Sequence, residues 1–191
     1  LPEGRDRFKL GTIIHNLMEY LPDILPANRA TAAGQYLARP EWALHPRVQE
    51  EMARNIMDII ESPVFAPLFG PNSRPEVPIS GTIIRDGKPE TMTAIIDRLV
   101  VEDDRVLIID FKSNRDVPKK ASDVAESYIL QMAAYRHALQ QIYPGRKIEC
   151  GLLYTRAAKM IPLPATRLDQ ALNDIGIASK RARSKKPPKQ S

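Results

Sequence analysis

The sequence has very little cysteine: Cys150 is the one thiol among 191 residues. A single thiol excludes an internal disulfide, a CxxC zinc site and an iron–sulfur cluster held by four thiolates. Cys150 stands in an apolar run, residues 148–153, which is typical of a small buried hydrophobe rather than a nucleophile. A chain without disulfides favours a reducing, cytoplasmic setting.

Long hydrophobic runs are also missing. No apolar stretch approaches the roughly 18 residues of a membrane-spanning helix, and no secretory signal pattern is present, so no membrane partner is expected. The phosphate-binding pattern G-x-x-x-x-G-K-[ST] is absent, and we expect no ATP site in this segment. The first residues are Leu-Pro-Glu-Gly instead of Met, so we expect the segment to come from inside a longer protein.

Acidic residues are absent from the last twelve positions. These carry six positive charges, on Lys180, Arg181, Arg183, Lys185, Lys186 and Lys189. The net charge of +5 therefore comes from this tail, and the rest of the chain is close to neutral. We expect a disordered basic tail over residues 180–191 after a single domain of residues 1–179. The tail could add salt-sensitive affinity for phosphates or act as a solubilising linker, and composition fits both.

The pattern of apolar residues changes near residue 70. Before it, helical spacing predicts a helical part over residues 1–70, with helices near 10–21, 31–38 and 48–60; residues 70–75 have the composition of a loop. After it, the sequence predicts a sheet core over residues 76–164 with a long helix over 122–143. The predicted strands are 76–84, 90–101, 105–112, 147–154 and 159–163, with a hairpin turn at 85–88 and a last helix at 166–178. This order predicts an α/β fold with a mixed sheet and packed helices.

Two acidic residues, Asp97 and Asp110, interrupt strands that are otherwise strongly apolar. A charge in such a strand is costly unless it is paired or bound to a metal. If Asp103 and Asp104 form the turn between the strands, Asp97 lies opposite Asp110 on one face, with Cβ atoms about 5 Å apart. Because two carboxylates this close repel each other, a shared divalent cation would explain the pair. A three-residue loop would instead place the acids on opposite faces.

Lys112 follows Asp110 by two residues, so both side chains leave the same face of one strand. An ammonium group beside a carboxylate–metal site can position a water molecule and stabilise negative charge on a phosphate. The alternative is a set of solvated charges at the rim of the sheet. An opposed acid and a lysine on the same face favour the catalytic interpretation.

Four short motifs occur in a fixed order along the chain. They are Gly11-Thr12-Ile13-Ile14-His15, Ile96-Asp97, Asp110-Phe111-Lys112 and Gln131-Met132-Ala133-Ala134-Tyr135. With them the sequence resembles the PD-(D/E)xK nuclease superfamily, specifically its AddA/RecB branch, over about residues 11–155. The resemblance implies a restriction-endonuclease-like fold, with a mixed central sheet flanked by helices and a helical N-terminal region. Ile96 stands where the name of the superfamily implies Pro.

The resemblance also implies a metal centre. Asp97, Asp110 and the backbone carbonyl of Phe111 would ligate Mg²⁺, for which Mn²⁺ or Ca²⁺ could substitute in binding, because these hard cations prefer oxygen. His15 would add a nitrogen ligand, although alone it would be a core histidine more often than a ligand. Lys112 would orient or help to deprotonate the attacking water.

The resemblance gives weaker support to further residues of the candidate site. Glu76 lies in a run that looks like the acid-bearing strand before the main motif, and it would join the catalytic site. Gln131 and Tyr135 would hold the active strand or the DNA backbone, since residues four apart share one helix face. Arg98 and Arg115 lie near the motif and could contact phosphates, although solvated charges are equally plausible there.

The AddA/RecB branch implies a specific biology. The segment would be a metal-dependent DNA exonuclease domain acting in recombinational repair of double-strand breaks, in the bacterial cytoplasm at the nucleoid. Its partners would be DNA, a helicase domain upstream in the same chain and an AddB-like subunit. The alternative is a catalytically inactive nuclease fold that binds DNA or docks a subunit. Such a module would usually have lost a metal ligand, whereas this sequence retains each one.

Overall fold

The computed structural model describes residues 3–85 and 88–175 of the chain. The basic tail predicted at 180–191 lies outside these residues, so the tail and the domain boundary at residue 179 remain predictions. Within the described residues, no helix is long and apolar enough to cross a bilayer.

The N-terminal part consists of three α-helices. α1 covers Glu3–Tyr20, α2 covers Pro26–Leu37 and α3 covers Pro46–Ile60, with a short 3₁₀ turn, Leu21–Asp23, after α1. α2 and α3 each begin with a proline at the first helical position, where the fixed φ suits a helix and the missing N–H costs nothing. α2 therefore begins at Pro26, five residues earlier than the apolar spacing alone predicts.

A five-stranded mixed sheet follows the helices. The strands are β1 (Ser73–Arg85), β2 (Lys88–Val101), β3 (Arg105–Lys112), β4 (Lys147–Tyr154) and β5 (Lys159–Leu163). They lie in the order β1-β2-β3-β4-β5, and only β3 and β4 pair in parallel. The parallel pair requires a crossover, which α4 (Glu126–Ile142) supplies. The predicted α/β fold with a mixed, helix-flanked sheet is confirmed.

Helices cover both faces of this sheet and create two cores. α4 and α5 (Ala165–Asp174) pack on one face, around Ile108, Leu152 and Met132. α1 to α3 pack on the other face, around Ile109 and Leu153. Alternate residues of β3 and β4 therefore enter different cores, which explains why both strands are apolar almost throughout.

Cys150 lies in the core under α4 and is 3% exposed. Burial raises the pKa of its thiol to about 12. A thiol that stays protonated at neutral pH is a poor nucleophile, so the interpretation of Cys150 as a small buried hydrophobe is confirmed.

Some element boundaries differ from the sequence prediction. The prediction of a loop at residues 70–75 is wrong for its second half, because β1 begins at Ser73. Pro75 and Pro78 occur within β1, which is tolerated because β1 is an edge strand. The long helix begins at Glu126 instead of residue 122, after a separate 3₁₀ turn, Ala121–Asp123.

Candidate active site and metal centre

The β2–β3 hairpin has the register predicted from its turn. Four consecutive pairs follow this register, and the last described pair is Arg98 opposite Ile109. Asp97 and Asp110 occupy the next position, where the regular pairing has ended. There the Asp97 side chain takes the place of a main-chain acceptor, since its Oδ2 accepts a hydrogen bond of 2.6 Å from the Phe111 N–H. The Asp97 carboxylate is thus held against the backbone of β3.

Glu76 marks a local distortion of β1 across from Asp97. Its backbone φ is +45°, in the left-handed region that non-glycine residues rarely adopt, while its neighbours Pro75 and Val77 keep a common register with β2. This conformation costs about 1–2 kcal/mol. It brings the Glu76 carboxylate within 4.0 Å of His15 Nδ1.

A three-residue cluster forms where α1 meets this distorted part of the sheet. His15 Nδ1 lies 3.4 Å from Asp97 Oδ1 and 4.0 Å from Glu76 Oε1, and one ligand atom from each residue lies within 4.8 Å of the others. The His15 ring packs edge-on against Phe111 at 5.9 Å, which helps fix its orientation. Two carboxylates and an imidazole are a donor set suited to a divalent ion.

The cluster is open to solvent on one side. The side chains of His15 and Glu76 are 32% and 35% exposed, whereas that of Asp97 is 10% exposed. The cluster can therefore be reached from solvent over His15 and Glu76.

Burial and, next in size, the neighbouring Asp110 together raise the pKa of the Asp97 carboxyl to about 8. The Phe111 N–H and the Lys112 ammonium act in the opposite direction but do not cancel these effects. Burial likewise raises the pKa of Glu76. A divalent cation at the cluster would remove this electrostatic conflict, because it favours the ionised carboxylates.

Asp110 makes a second set of contacts, toward α4. Its Oδ1 accepts a hydrogen bond of 2.8 Å from Gln131 Nε2, and Lys112 Nζ lies 2.7 Å from its Oδ2. The same Gln131 amide group donates to the Tyr135 hydroxyl at 2.8 Å, and its Oε1 accepts from Lys112 at 3.2 Å. Burial raises the pKa of Tyr135, so this hydroxyl stays protonated and neutral.

The predicted residues therefore fall into two adjoining groups. His15, Glu76 and Asp97 form one group, while Asp110 turns its carboxylate toward Lys112 and α4. The Asp110 Oδ2 atom is buried, and no donor in the described part of the chain makes a directed hydrogen bond to it, despite the ion pair with Lys112. A buried carboxylate oxygen with a lone pair to spare fits a metal ligand, so the residues present are compatible with the predicted ion.

A family model describing the PD-(D/E)XK nuclease superfamily matches residues 1–186. The chain belongs to this superfamily. Members are generally metal-dependent nucleases that use divalent ions, and the five-stranded sheet flanked by helices agrees with their restriction-endonuclease-like fold.

No curated protein matches the chain significantly. Among solved structures, the chain is similar to the protein SSO0001, with 14% identity over 68% of this chain and 67% of that chain and a TM-score of 0.36. A likeness of this size carries no argument about fold or function.

Arg98 does not have the position expected of a phosphate contact in this nuclease fold. It is 3% exposed, donates a hydrogen bond of 2.5 Å to the Met18 carbonyl oxygen and lies over the Phe69 ring at 5.1 Å. Met18 lies in the last turn of α1, where carbonyl groups lack helical partners and cations are favoured. This placement gives Arg98 a structural role, tying β2 to the end of α1, and corrects the DNA-contact interpretation.

Replacing Arg98 by alanine should lower the free energy of unfolding by about 2–4 kcal/mol, because it removes the donor to the Met18 carbonyl oxygen and the packing on Phe69. Urea unfolding would measure the change. DNA affinity should stay within about twofold of wild type at temperatures where both proteins are folded. Arg115, which is exposed, provides the matched comparison: its alanine variant should be as stable as wild type. Equal stability of the two variants would contradict the structural role of Arg98.

The sequence interpretation missed two residues at the site. Tyr128 places its ring 3.8 Å from Lys112 Nζ, and Asn114 hydrogen-bonds the Tyr128 hydroxyl. In the sequence, Tyr128 lies on the apolar stripe of the long helix, a position typical of core packing. The available signal was its spacing of three residues before Gln131, which places both on one face of α4.

Proposed function

We propose that this chain is a Mg²⁺-dependent DNA nuclease with exonuclease activity. The proposal rests on one observation: a cluster of His15, Glu76 and Asp97 adjoins the Asp110–Lys112 ion pair at the open end of the β2–β3 hairpin. The donor set suits a hard divalent cation, and the lysine is the one ammonium group in contact with a predicted metal ligand among the described residues.

In this proposal His15, Asp97, Asp110 and the Phe111 carbonyl would hold the ion, with Glu76 as a further ligand or an acceptor for a bound water. When bound, the ion supplies Lewis-acid polarisation of the scissile phosphate. The protein supplies the geometry. Asp97 is fixed by the Phe111 N–H, Asp110 is fixed by Gln131, and Gln131 is in turn fixed by Tyr135.

Lys112 has the role of a charged donor beside the reacting phosphate. Its side chain is 11% exposed, so its charge is only weakly screened by solvent. From β3 it can orient a water toward the phosphorus and stabilise negative charge that develops on the phosphate oxygens. Arg115, exposed just after the strand, could contact the DNA backbone.

The more specific part of the proposal is membership of the AddA/RecB branch. Two motifs suggest this branch. The G-x-x-x-H motif provides His15 to the cluster with Glu76 and Asp97, and the Q-x-x-x-Y motif provides Gln131, which hydrogen-bonds Asp110 and Tyr135. On this proposal the chain acts in recombinational repair of double-strand breaks, with a helicase domain upstream and an AddB-like partner subunit in the bacterial cytoplasm at the nucleoid.

The proposal is tested by comparing wild type with Lys112→Met on end-labelled linear duplex DNA and on covalently closed circular DNA. Wild type should degrade linear DNA in Mg²⁺, leave the circle intact and lose activity in EDTA. The variant should be at least about a hundredfold slower, because a positioned donor contributes roughly that much to rate. Methionine keeps the unbranched shape and most of the length of the lysine side chain, so the packing at this position should be preserved.

Four results would count against all or part of the proposal. Cleavage that persists in EDTA would exclude the metal dependence, and equal rates for both proteins would indicate a contaminant. Binding of DNA without any metal-dependent cleavage would favour an inactive DNA-binding or docking module. Cleavage of closed circles would retain the nuclease but exclude a strict exonuclease.

A further inference from the structure

The Lys112 ammonium group is enclosed on three sides. Its Nζ lies 2.7 Å from Asp110 Oδ2, 3.2 Å from Gln131 Oε1 and 3.8 Å from the centre of the Tyr128 ring. An ammonium group has three N–H donors. The ammonium therefore donates one hydrogen bond, to Gln131, while the Asp110 carboxylate and the aromatic face hold it by electrostatic attraction.

The Tyr128 ring is itself held at both ends. Its backbone belongs to the first turn of α4, and its hydroxyl accepts a hydrogen bond from Asn114 Nδ2 at 3.2 Å and donates one to Asn114 Oδ1 at 3.3 Å. Asn114 lies two residues after Lys112, so the ring bridges α4 and the segment that leaves β3.

That segment is anchored to the neighbouring strands. The Lys112 carbonyl accepts hydrogen bonds from the Thr155 N–H at 2.9 Å and from its hydroxyl at 3.2 Å. Farther along, Lys159 Nζ donates to the Pro118 carbonyl at 2.8 Å. Asn114 is thus presented by a fixed backbone, which makes it a suitable anchor for the Tyr128 hydroxyl.

Resting on the proposed nuclease function, we propose that Tyr128, held by Asn114, is a positioning residue that places the Lys112 ammonium for catalysis. The negative face of the ring attracts the cation without competing for its contacts with the two oxygens. The attraction is strengthened because the lysine side chain is 11% exposed. An aliphatic side chain of similar volume would fill the space but leave the ammonium free to turn away from the reacting phosphate.

Four variants test this role: Tyr128→Leu, Tyr128→Phe, Asn114→Ala and, as a control, Tyr143→Leu. Tyr143 also faces a cation, Arg146 at 5.4 Å, but it follows the far end of α4. Tyr128→Leu should lower the single-turnover cleavage rate about tenfold, with DNA affinity and the half-saturating Mg²⁺ concentration within twofold of wild type. Tyr128→Phe should cleave at close to the wild-type rate. The rate of Asn114→Ala should lie between those of Tyr128→Leu and Tyr128→Phe, and Tyr143→Leu should match wild type.

A double-mutant cycle distinguishes positioning from a general structural effect. If Tyr128 acts through Lys112, Tyr128→Leu should slow the Lys112→Met protein by less than about twofold, since there is no ammonium left to place. A full tenfold loss in that background would overturn the proposal. So would equal losses in Tyr128→Leu and Tyr128→Phe, which would assign the effect to the hydroxyl, or wild-type rates in Tyr128→Leu.

A measurement without activity separates this proposal from the nuclease proposal. Protons on the Lys112 Cε should be shifted upfield by the Tyr128 ring in NMR spectra, and the shift should survive in Tyr128→Phe and vanish in Tyr128→Leu. Absence of the shift in wild type would overturn the placement of Lys112. A wild type that shows the shift but cleaves no DNA in Mg²⁺ would overturn the proposed function alone.

Discussion

Asp110→Ala should lower the rate of Mg²⁺-dependent DNA cleavage by at least about a thousandfold, because it removes a proposed metal ligand and with it the Lewis-acid contribution of several kcal/mol. It also removes the acceptor of Gln131 and the ion-pair partner of Lys112. The substitution therefore removes a proposed metal ligand and also the contact that holds the Lys112 ammonium. This is why the expected effect exceeds that of Lys112→Met.

The measurement is a single-turnover cleavage assay at saturating Mg²⁺, with Asp104→Ala as the matched control. Asp104 is an exposed acid at the turn of the same hairpin, far from the open end that carries the site. Its alanine variant should cleave at the wild-type rate. A fully folded Asp110→Ala protein that retains more than a tenth of the wild-type rate would rule out Asp110 as an essential ligand.

The sequence was most informative where one geometric constraint was sufficient. The turn at Asp103 and Asp104 determines the hairpin register, because antiparallel pairing leaves a single set of partners once the turn is known. The structure has this register from Val101 to Arg98. The proximity of Asp97 to Asp110 followed from the same constraint, and the effect of Asp110 on the pKa of Asp97 agrees with it.

What the register could not predict is the direction of each carboxylate. Opposed residues of a regular ladder share one face, yet Asp97 contacts His15 of α1 while Asp110 contacts Gln131 of α4, on the other side of the sheet. The regular pairing ends before the two acids, and Glu76 adopts a left-handed backbone beside them. Such a local distortion depends on tertiary contacts and leaves no periodic signal in the sequence.

The roles of Arg98 and Tyr128 could not be predicted for a different reason. Residue type and position in the sequence do not show which other elements a side chain contacts. An arginine beside a nuclease motif suggests a phosphate contact, but here the last turn of α1 supplies a carbonyl acceptor 80 residues away in sequence. A tyrosine on an apolar stripe suggests core packing, but the ring meets the Lys112 ammonium. Both roles depend on contacts between separate elements, which spacing along one element does not encode.

Asp97→Asn should make the metal-free protein more stable than wild type at pH 8, and the difference should be clearly smaller at pH 5. In the folded protein the Asp97 carboxyl has a pKa of about 8, raised from an ordinary 3.8 first by burial and then by Asp110. The folded state therefore binds this proton more tightly than the unfolded chain does between these two values. Across that window the stability of wild type decreases as pH rises, and the decrease ends above the folded-state pKa.

Asparagine removes this dependence because it stays neutral, while its side-chain oxygen can still accept the Phe111 N–H. Urea unfolding in EDTA should show the variant about 2–3 kcal/mol more stable than wild type at pH 8. Adding Mg²⁺ at pH 8 should stabilise wild type and leave Asp97→Asn nearly unchanged, since binding to the folded state alone raises stability by mass action. If the difference in free energy of unfolding between the two proteins is the same from pH 5 to pH 8, the Asp97 carboxyl is not the buried, proton-retaining group at this site.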